Sequence, residues 1–252
     1  MPPIKITNFE GKVSQIQEFK DGGKGALRVF RVACPEMNGF SFSAGQFVMT
    51  AMDGCRNIAK PEEMRWASLS IVSSPLEKEF IDFCIRAKTP TGLMHFMAHK
   101  MKLGDTVFMR GPYGKFTLKD NPQGIIFVAT GTGIAPIISM LRTLLKQHYS
   151  YPIKLFFGFR NPNEFMYKEE LEGYAKKNSN FQLIPTISGP EGFEWNEKIG
   201  YVQDVLKEFE FSEKISSFDA YLCGLPKACD ESIKILISKG INGTRIAKEV
   251  YD

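Results

Sequence analysis

Residues 124–147 read GIIFVATGTGIAPIISMLRTLLKQ. Ile125, Ile126, Phe127 and Val128 form a short continuous apolar run, the pattern of a parallel strand covered on both faces. Thr130-Gly131-Thr132-Gly133 follows as a turn whose glycines allow positive φ and a close backbone approach to a ligand. Pro136 falls at an early helical position, where its missing N–H has no intrahelical use. Ile137, Met140, Leu141, Leu144 and Leu145 then recur at helical spacing. Backbone N–H groups at such a helix start suit a phosphate. The stretch is neither G-x-G-x-x-G, because Ala135-Pro136 stand where a third glycine is needed, nor a Walker loop, because no Lys-Ser/Thr follows Gly133. By itself it reads equally as a tight strand–helix connection without a ligand.

After Asn121-Pro122-Gln123-Gly124 the alternation continues. IKLFFGFR, FQLIPTIS, DAYLCG and TRIAKEVY read as strands. EFMYKEELEGYAKK, GYVQDVLKEF and KACDESIKILISK read as helices. Strand–helix alternation predicts a parallel sheet wrapped by helices, with ligands beyond the carboxyl ends of the strands. Gly131, Gly158, Ser188 and Cys223-Gly224 all fall at such ends.

Residues before 119 read differently. GKVSQIQEFK and ALRVFRVACP, joined by the turn Asp21-Gly22-Gly23-Lys24-Gly25, are strand-like. FSFSAGQFVMTAM, RWASLSIVSSP, FIDFCIRAK and DTVFMRGPYG extend the pattern, which predicts an antiparallel barrel or sandwich. One helix over about Leu93–Lys102 interrupts it, and Asp53–Glu63 reads as a surface loop. The expected organisation is therefore an all-β domain over 1–119 followed by an α/β domain over 120–252.

Composition narrows the function classes. The chain has 252 residues, 43% apolar and 24% charged, as in soluble globular proteins. No window approaches a membrane span and the start carries no apolar signal core, so the cytoplasm is expected. Five cysteines, none at C-x-x-C spacing, argue against a disulfide framework, a zinc site or a cysteine-ligated iron–sulfur cluster. His95 and His99 stand i, i+4 with no third ligand nearby, so no metal is expected. The net charge of +4 is spread along the chain, which disfavours a nucleic-acid surface but suits steering of an acidic protein.

Four motifs in this order resemble the ferredoxin–NADP reductase family of flavoproteins, over essentially the whole chain. Gly131-Thr132-Gly133-Ile134-Ala135-Pro136 is similar to the family's nucleotide-pyrophosphate turn. Ser70-Ile71-Val72-Ser73-Ser74-Pro75 resembles the end of its R-x-Y-S-I-x-S-x-P flavin strand. Tyr221-Leu222-Cys223-Gly224-Leu225-Pro226 resembles its C-G-x-P nicotinamide loop, and Glu249-Val250-Tyr251 its C-terminal E-x-aromatic ending. The resemblance implies an FAD-binding β-barrel followed by a parallel α/β domain for NADH or NADPH.

The resemblance also implies roles. Ser70, between Leu69 and Ile71 with Ser68 on the same strand, matches the serine near flavin N5. Leu69 replaces the usual tyrosine. The family arginine falls on Ala67. Arg65, two residues earlier and about 7 Å back along the strand, and Arg86 in Phe83-Cys84-Ile85-Arg86 are the alternatives for the FAD pyrophosphate, with Arg86 preferred. Gly92, Leu93 and Met94 take the place of the family's phosphate turn. Gly45-Gln46-Phe47 and Gly111-Pro112-Tyr113-Gly114-Lys115-Phe116 look like barrel turns that frame FAD. Thr130, Gly131, Thr132, Gly133, Ile134, Pro136, Gly158, Arg160, Ser188, Cys223, Gly224 and Pro226 would hold the nucleotide. Cys223 would position the nicotinamide, Glu249 would orient it or pass protons, and Tyr251 would stack on the flavin. Ser188-Gly189-Pro190-Glu191 lacks the serine–arginine pair of many NADP readers and leans to NADH, whereas Arg160 leans the other way. The implied activity is hydride transfer from NAD(P)H to FAD, then single electrons to a separate ferredoxin, flavodoxin or iron–sulfur subunit, or the reverse. A free-flavin or ferric reductase and a non-catalytic nucleotide-sensing subunit are the rivals.

Overall fold

A computed structural model of the chain describes residues 5–19, 26–35, 37, 39–119 and 122–251. The expected turn at Asp21–Gly25, the expected boundary residue Asn121 and the terminal Asp252 lie outside the described residues. The chain divides into two compact units, 1–118 with 138–147, and 119–137 with 148–252.

The first unit holds β1 (Thr7–Phe19), β2 (Ala26–Ala33), β3 (Phe47–Met52), β4 (Ala67–Ser70), β5 (Phe80–Ala87), α1 (Leu93–His99) and β6 (Thr106–Tyr113). The strands form one antiparallel sheet in the order β4-β3-β6-β1-β2-β5. The sheet curls until its ends meet. Just past β4, the Val72 N–H donates to the Asp82 carbonyl on β5 at 2.9 Å, and the Asp82 N–H donates to Ser73 Oγ at 3.0 Å. Alternate residues point inward, so Phe30, Val48, Leu69, Ile81, Phe83, Ile85, Val107 and Met109 share one core.

Two strands are shorter than their apolar runs suggest. In FSFSAGQFVMTAM only Phe47–Met52 is strand, because Gly45 turns the chain at φ 99°. The Gln46 side chain is buried there, accepting from the Ser43 N–H and donating to the Gly114 carbonyl. In RWASLSIVSSP only Ala67–Ser70 is strand. Helix α1 ends at His99, earlier than expected, where the Arg28 guanidinium donates to the carbonyls of Met97 and Met101. A cation at a helix C-terminus satisfies carbonyls that have no helical partner.

The second unit contains β7 (Ile125–Thr130), a 3-10 turn over Gly131–Gly133, β8 (Ile153–Phe159), α3 (Lys168–Lys177), β9 (Phe181–Ile187), β10 (Lys198–Ile199), α4 (Val202–Glu208), β11 (Asp219–Gly224), α5 (Pro226–Ser238) and β12 (Ile246–Val250). Every strand pair is parallel, in the order β10-β9-β8-β7-β11-β12. The order reverses between β7 and β11, where such sheets open a crevice at their carboxyl edge. Helix α3 starts later than expected because Pro162–Glu164 forms a 3-10 turn capped by Asn161, and Tyr167 adopts φ 59°. Helix α2 (Ile134–Lys146) begins in this unit, while its residues from Ile138 onward belong to the first. There Ser139 Oγ donates to the Ser73 carbonyl at 2.7 Å, Thr143 shares a 2.9 Å hydrogen bond with Ser74, and Arg142 pairs with Asp82.

Lys154 on β8 is a buried cation, 6% exposed. It donates to Glu213 at 2.9 Å and to Gln182 at 3.2 Å. Burial pushes the Glu213 carboxyl up, but hydrogen bonds from Lys154 and Ser212 and the Lys154 charge outweigh it and leave it below its ordinary range. A depressed carboxylate contributes stability above its unfolded pKa and loses it as pH falls through the folded value. The urea midpoint of Glu213→Gln should therefore lie below wild type at pH 7, and the two should converge as the pH falls below about 4.

Candidate functional site

On the first unit, strand alternation sorts the predicted residues by face. Ala67 and Leu69 pack with the barrel core, whereas Ser68 is exposed and Ser70 half-buried on the outer face of β4. On β5, Ile85 points inward with Ile81 and Phe83. Cys84 and the half-buried Arg86 therefore share the outer face with Asp82. Leu69 and Ile85 are core side chains, so what they can offer a cofactor is backbone. Ile71 is fully buried, and its N–H donates to the Gln46 carbonyl at 3.0 Å.

Arg65 lies before β4, its N–H bonded to the Cys55 carbonyl. Its guanidinium reaches Gly92, where a Cβ would stand 3.3 Å from Nη2. Gly92 has φ 98°, precedes α1, and is followed by buried Leu93 and half-buried Met94. The sequence favours Arg86 as the phosphate-binding arginine. The geometry brings Arg65, the second choice, to the Gly92-Leu93-Met94 turn. The loop Asp53–Glu63 folds back through an Arg56–Met64 bridge and a bond from the Asn57 N–H to the Glu63 carbonyl, which delivers Arg65 there. His95 and His99 pack with ring centroids 4.4 Å apart and planes tilted by 47°, and among the described residues no group of three or more metal-ligating side chains forms.

On the second unit the predicted residues meet along one edge. Thr130, Gly158 and Thr186 stand in register across β7, β8 and β9. Cys223 pairs with Ala129 on one side and Glu249 on the other, and Gly224 pairs with Val250. The Tyr251 N–H donates to the Gly224 carbonyl at 3.0 Å. The Ser188 N–H donates to the Phe159 carbonyl, and the Gly189 N–H to the Arg160 carbonyl, so the β8–β9 pairing runs on past the strand ends with Ser188 and Arg160 exposed.

Glycine makes this edge possible. Gly131 has φ 53° and nothing within 4 Å of where a Cβ would be, so the turn is open on that side. A Cβ on Gly133 would overlap the Cys223 carbonyl, and one on Gly224, at φ 142°, would overlap Thr130 Oγ1. Backbone therefore lies on backbone where the sheet order reverses. Ile134 and Pro136 are buried behind the turn and start α2. Neither α2 nor α5, which opens at Pro226, carries an acidic residue in its first turn, whereas α3 and α4 do. An open turn, close-packed glycines and helix starts without carboxylates fit a dinucleotide pyrophosphate.

Three residues here carry no role in the sequence. Leu225, 54% exposed, donates its N–H to Thr130 Oγ1. Tyr201, 63% exposed, stands between Gly200 and Val202, and Val202 packs against Gly158. Trp195 sets its ring edge-on to Phe159 at 5.7 Å. An exposed aromatic between a glycine and a helix start was the available signal for Tyr201.

Known proteins match both units. Residues 24–118 fit the oxidoreductase FAD-binding domain, and residues 127–233 the oxidoreductase NAD-binding domain. The electron transfer component of anthranilate 1,2-dioxygenase from Acinetobacter baylyi is 30% identical over 66% of this chain and 48% of its own length. The reductase component of phenol 2-monooxygenase from a Pseudomonas species is 31% identical over 78% of this chain and 54% of its own. The chain thus spans about half the length of these relatives. In fold it resembles the cytochrome P450 reductase GcoB of Amycolatopsis, with TM-score 0.82, 20% identity, and coverage of 98% of this chain and 71% of that one. The ferredoxin–NADP+ reductase of Plasmodium falciparum superposes with TM-score 0.77 at 22% identity, covering 97% of each chain. With one domain for FAD and one for a nicotinamide nucleotide, the chain belongs to the ferredoxin–NADP reductase family of oxidoreductases.

Proposed function

We propose that this protein takes hydride from NADH or NADPH onto FAD and passes electrons singly to a separate protein acceptor, a ferredoxin, a flavodoxin or an iron–sulfur partner. The observation that carries the reading is the gathering of the Thr130–Gly133, Gly158, Ser188 and Cys223–Gly224 loops on one carboxyl edge, at the reversal of strand order. Bound, the nicotinamide supplies hydride, and FAD supplies a two-electron acceptor able to release electrons one at a time.

In this reading residues 1–119 hold FAD and 120–252 the nucleotide. Ser70 presents its hydroxyl toward flavin N5 from the outer face of β4, where its small size leaves room for the donor. Arg65 binds the FAD pyrophosphate together with the backbone of Gly92, Leu93 and Met94. Ser68, Ile71, Cys84, Ile85 and Arg86 complete the flavin wall. Thr130 to Ile134, Pro136, Gly158, Arg160, Ser188 and Pro226 hold the dinucleotide. Cys223 and Glu249, paired in register, position the nicotinamide, and Tyr251 covers the flavin in its absence. Catalysis rests mainly on alignment of donor and acceptor with water excluded.

Electron delivery to another protein is supported by sequence and charge. No cysteines in this chain stand at cluster spacing. The first unit carries 18 Lys and Arg against 11 Asp and Glu, and the second 14 against 17. Net charges of +7 and −3 follow, which favour approach of an acidic acceptor to the barrel. Among the described residues no helix is long and apolar enough to cross a membrane, and we place the protein in the cytoplasm.

The test is a visible spectrum of the purified protein, followed by anaerobic addition of NADH and, separately, NADPH. Flavin bands that bleach on addition support the reading, and the faster nucleotide identifies the donor. A colourless protein that does not take up FAD overturns it.

A further inference from the structure

We propose that the Thr130 hydroxyl is a positioning group, which fixes the loop after β11 against the phosphate turn after β7 and so sets where the nicotinamide is held. The inference rests on the nucleotide-binding reading of this edge and gives Thr130 a task other than contact with phosphate.

Strands β7 and β11 are parallel neighbours up to the pair Ala129–Cys223. Beyond it the chains part, β7 into the 3-10 turn before α2 and β11 into α5. A sheet ladder ends where its strands part, and the next N–H on β11's side loses its carbonyl partner. That N–H belongs to Leu225, and it donates instead to Thr130 Oγ1 at 2.8 Å. A side-chain oxygen thus continues the ladder past the point of separation. Leu225 precedes the first residue of α5, Pro226, so the same bond fixes the start of that helix.

Close packing gives the bond its precision. A Cβ on Gly224 would stand 2.9 Å from both the backbone nitrogen and the carbonyl oxygen of Thr130. A Cβ on Gly133 would stand 2.6 Å from the Cys223 carbonyl carbon and 2.7 Å from Gly224 Cα. Gly224 is held from its other side by the Tyr251 N–H. The loop is therefore clamped between Thr130 and the end of β12, with the Thr130 hydroxyl accepting from the Leu225 N–H. Valine has the shape of threonine without the oxygen, so Thr130→Val removes the bond and keeps the packing. The Leu225 N–H then faces a methyl group in place of its acceptor, and the loop relaxes away from the turn.

The test compares wild type, Thr130→Val and Thr130→Ser, with two readouts. The first is hydrogen–deuterium exchange of the Leu225 amide in the FAD-loaded protein without nucleotide. It should speed about tenfold or more in Thr130→Val and return toward wild type in Thr130→Ser, which keeps the oxygen. The second is anaerobic flavin reduction. In Thr130→Val the limiting rate should fall about tenfold, as for a sub-ångström misplacement, with a smaller change in the KM for the nucleotide. Unchanged Leu225 exchange in Thr130→Val overturns the bond's role. Faster exchange with unchanged limiting rate overturns the positioning role and leaves a structural one. If wild type is not reduced by either nucleotide, the proposed function fails, and the exchange readout still decides whether the clamp exists.

Discussion

Gly224→Ala is expected to slow NAD(P)H-dependent flavin reduction by about a hundredfold or more while leaving FAD content intact. Two independent effects act at this one position. The φ of 142° is a conformation that glycine adopts readily and alanine resists. The added Cβ would also overlap Thr130 Oγ1 and crowd the Thr130 backbone nitrogen and oxygen at 2.9 Å. Relief by rotating the Thr130 side chain gives up its bond to the Leu225 N–H. Relief by moving the loop breaks the bond from the Tyr251 N–H to the Gly224 carbonyl and disturbs the pairing of Cys223 with Glu249. Either route displaces the residues assigned to the nicotinamide, so the limiting rate and the affinity for the nucleotide should both suffer. The flavin residues assigned to the first unit are untouched, so the FAD content before nucleotide is added should match wild type. Stopped-flow bleaching against nucleotide concentration separates the two parameters. A limiting rate within threefold of wild type would refute the assignment of this loop to the nicotinamide.

The parts of this edge that sequence revealed and those that it hid differ for a physical reason. Strands β7 and β8 are covered on both faces, so their residues read as largely apolar runs, and every residue of β8, Lys154 included, is buried. Gly131 and Gly133 were legible as a turn that a ligand can approach, because glycine is the residue that permits it. The packing of Gly133 and Gly224 against the neighbouring loop was not legible, because Thr130 and Leu225 are 95 residues apart. Strand β10 escaped notice since two exposed residues carry no periodicity. The approach of Arg65 to Gly92 was hidden in the same way, because a loop that folds back on itself delivers it there. In α2 the apolar residues at helical spacing are legible, but Ser139, Arg142, Thr143 and Lys146 form a second stripe at the same spacing. Its partners, Ser73, Asp82, Ser74 and Glu77, lie some 60 to 70 residues earlier, and no local pattern announces them.

The largest stability effect should come from that second stripe. Asp82 is 4% exposed on the outer face of β5. Its Oδ1 accepts from Arg31 Nε at 2.7 Å, and its Oδ2 from Arg31 Nη2 at 3.0 Å and Arg142 Nη1 at 3.1 Å. The Arg31 guanidinium also lies over the Phe80 ring, and the hydrogen bond to Asp82 holds its pKa above the ordinary value. Asp82→Ala leaves two guanidinium groups facing a cavity, and Arg142 has only 14% of its side chain exposed. Removing one partner of a buried ion pair costs about 3–5 kcal/mol. Arg31, with 30% of its side chain exposed, can recover water, so the lower end is expected, about 3 kcal/mol. Asp82→Asn should not rescue the loss, because an amide turns an N–H donor toward a guanidinium that has only donors. Arg142→Met in the Asp82→Ala background should recover part of it by removing the cation that Asp82 neutralises, a coupling of at least about 1 kcal/mol in a double-mutant cycle. The backbone bonds of Asp82 to Val72 and Ser73 survive all these changes, so barrel register and FAD content should hold while the urea midpoint falls. A loss below 1 kcal/mol, or additive single and double variants, would show that Ser139 and Thr143 anchor α2 without the ion pair. The charge on Asp82 would then serve only to keep Arg31 against Phe80.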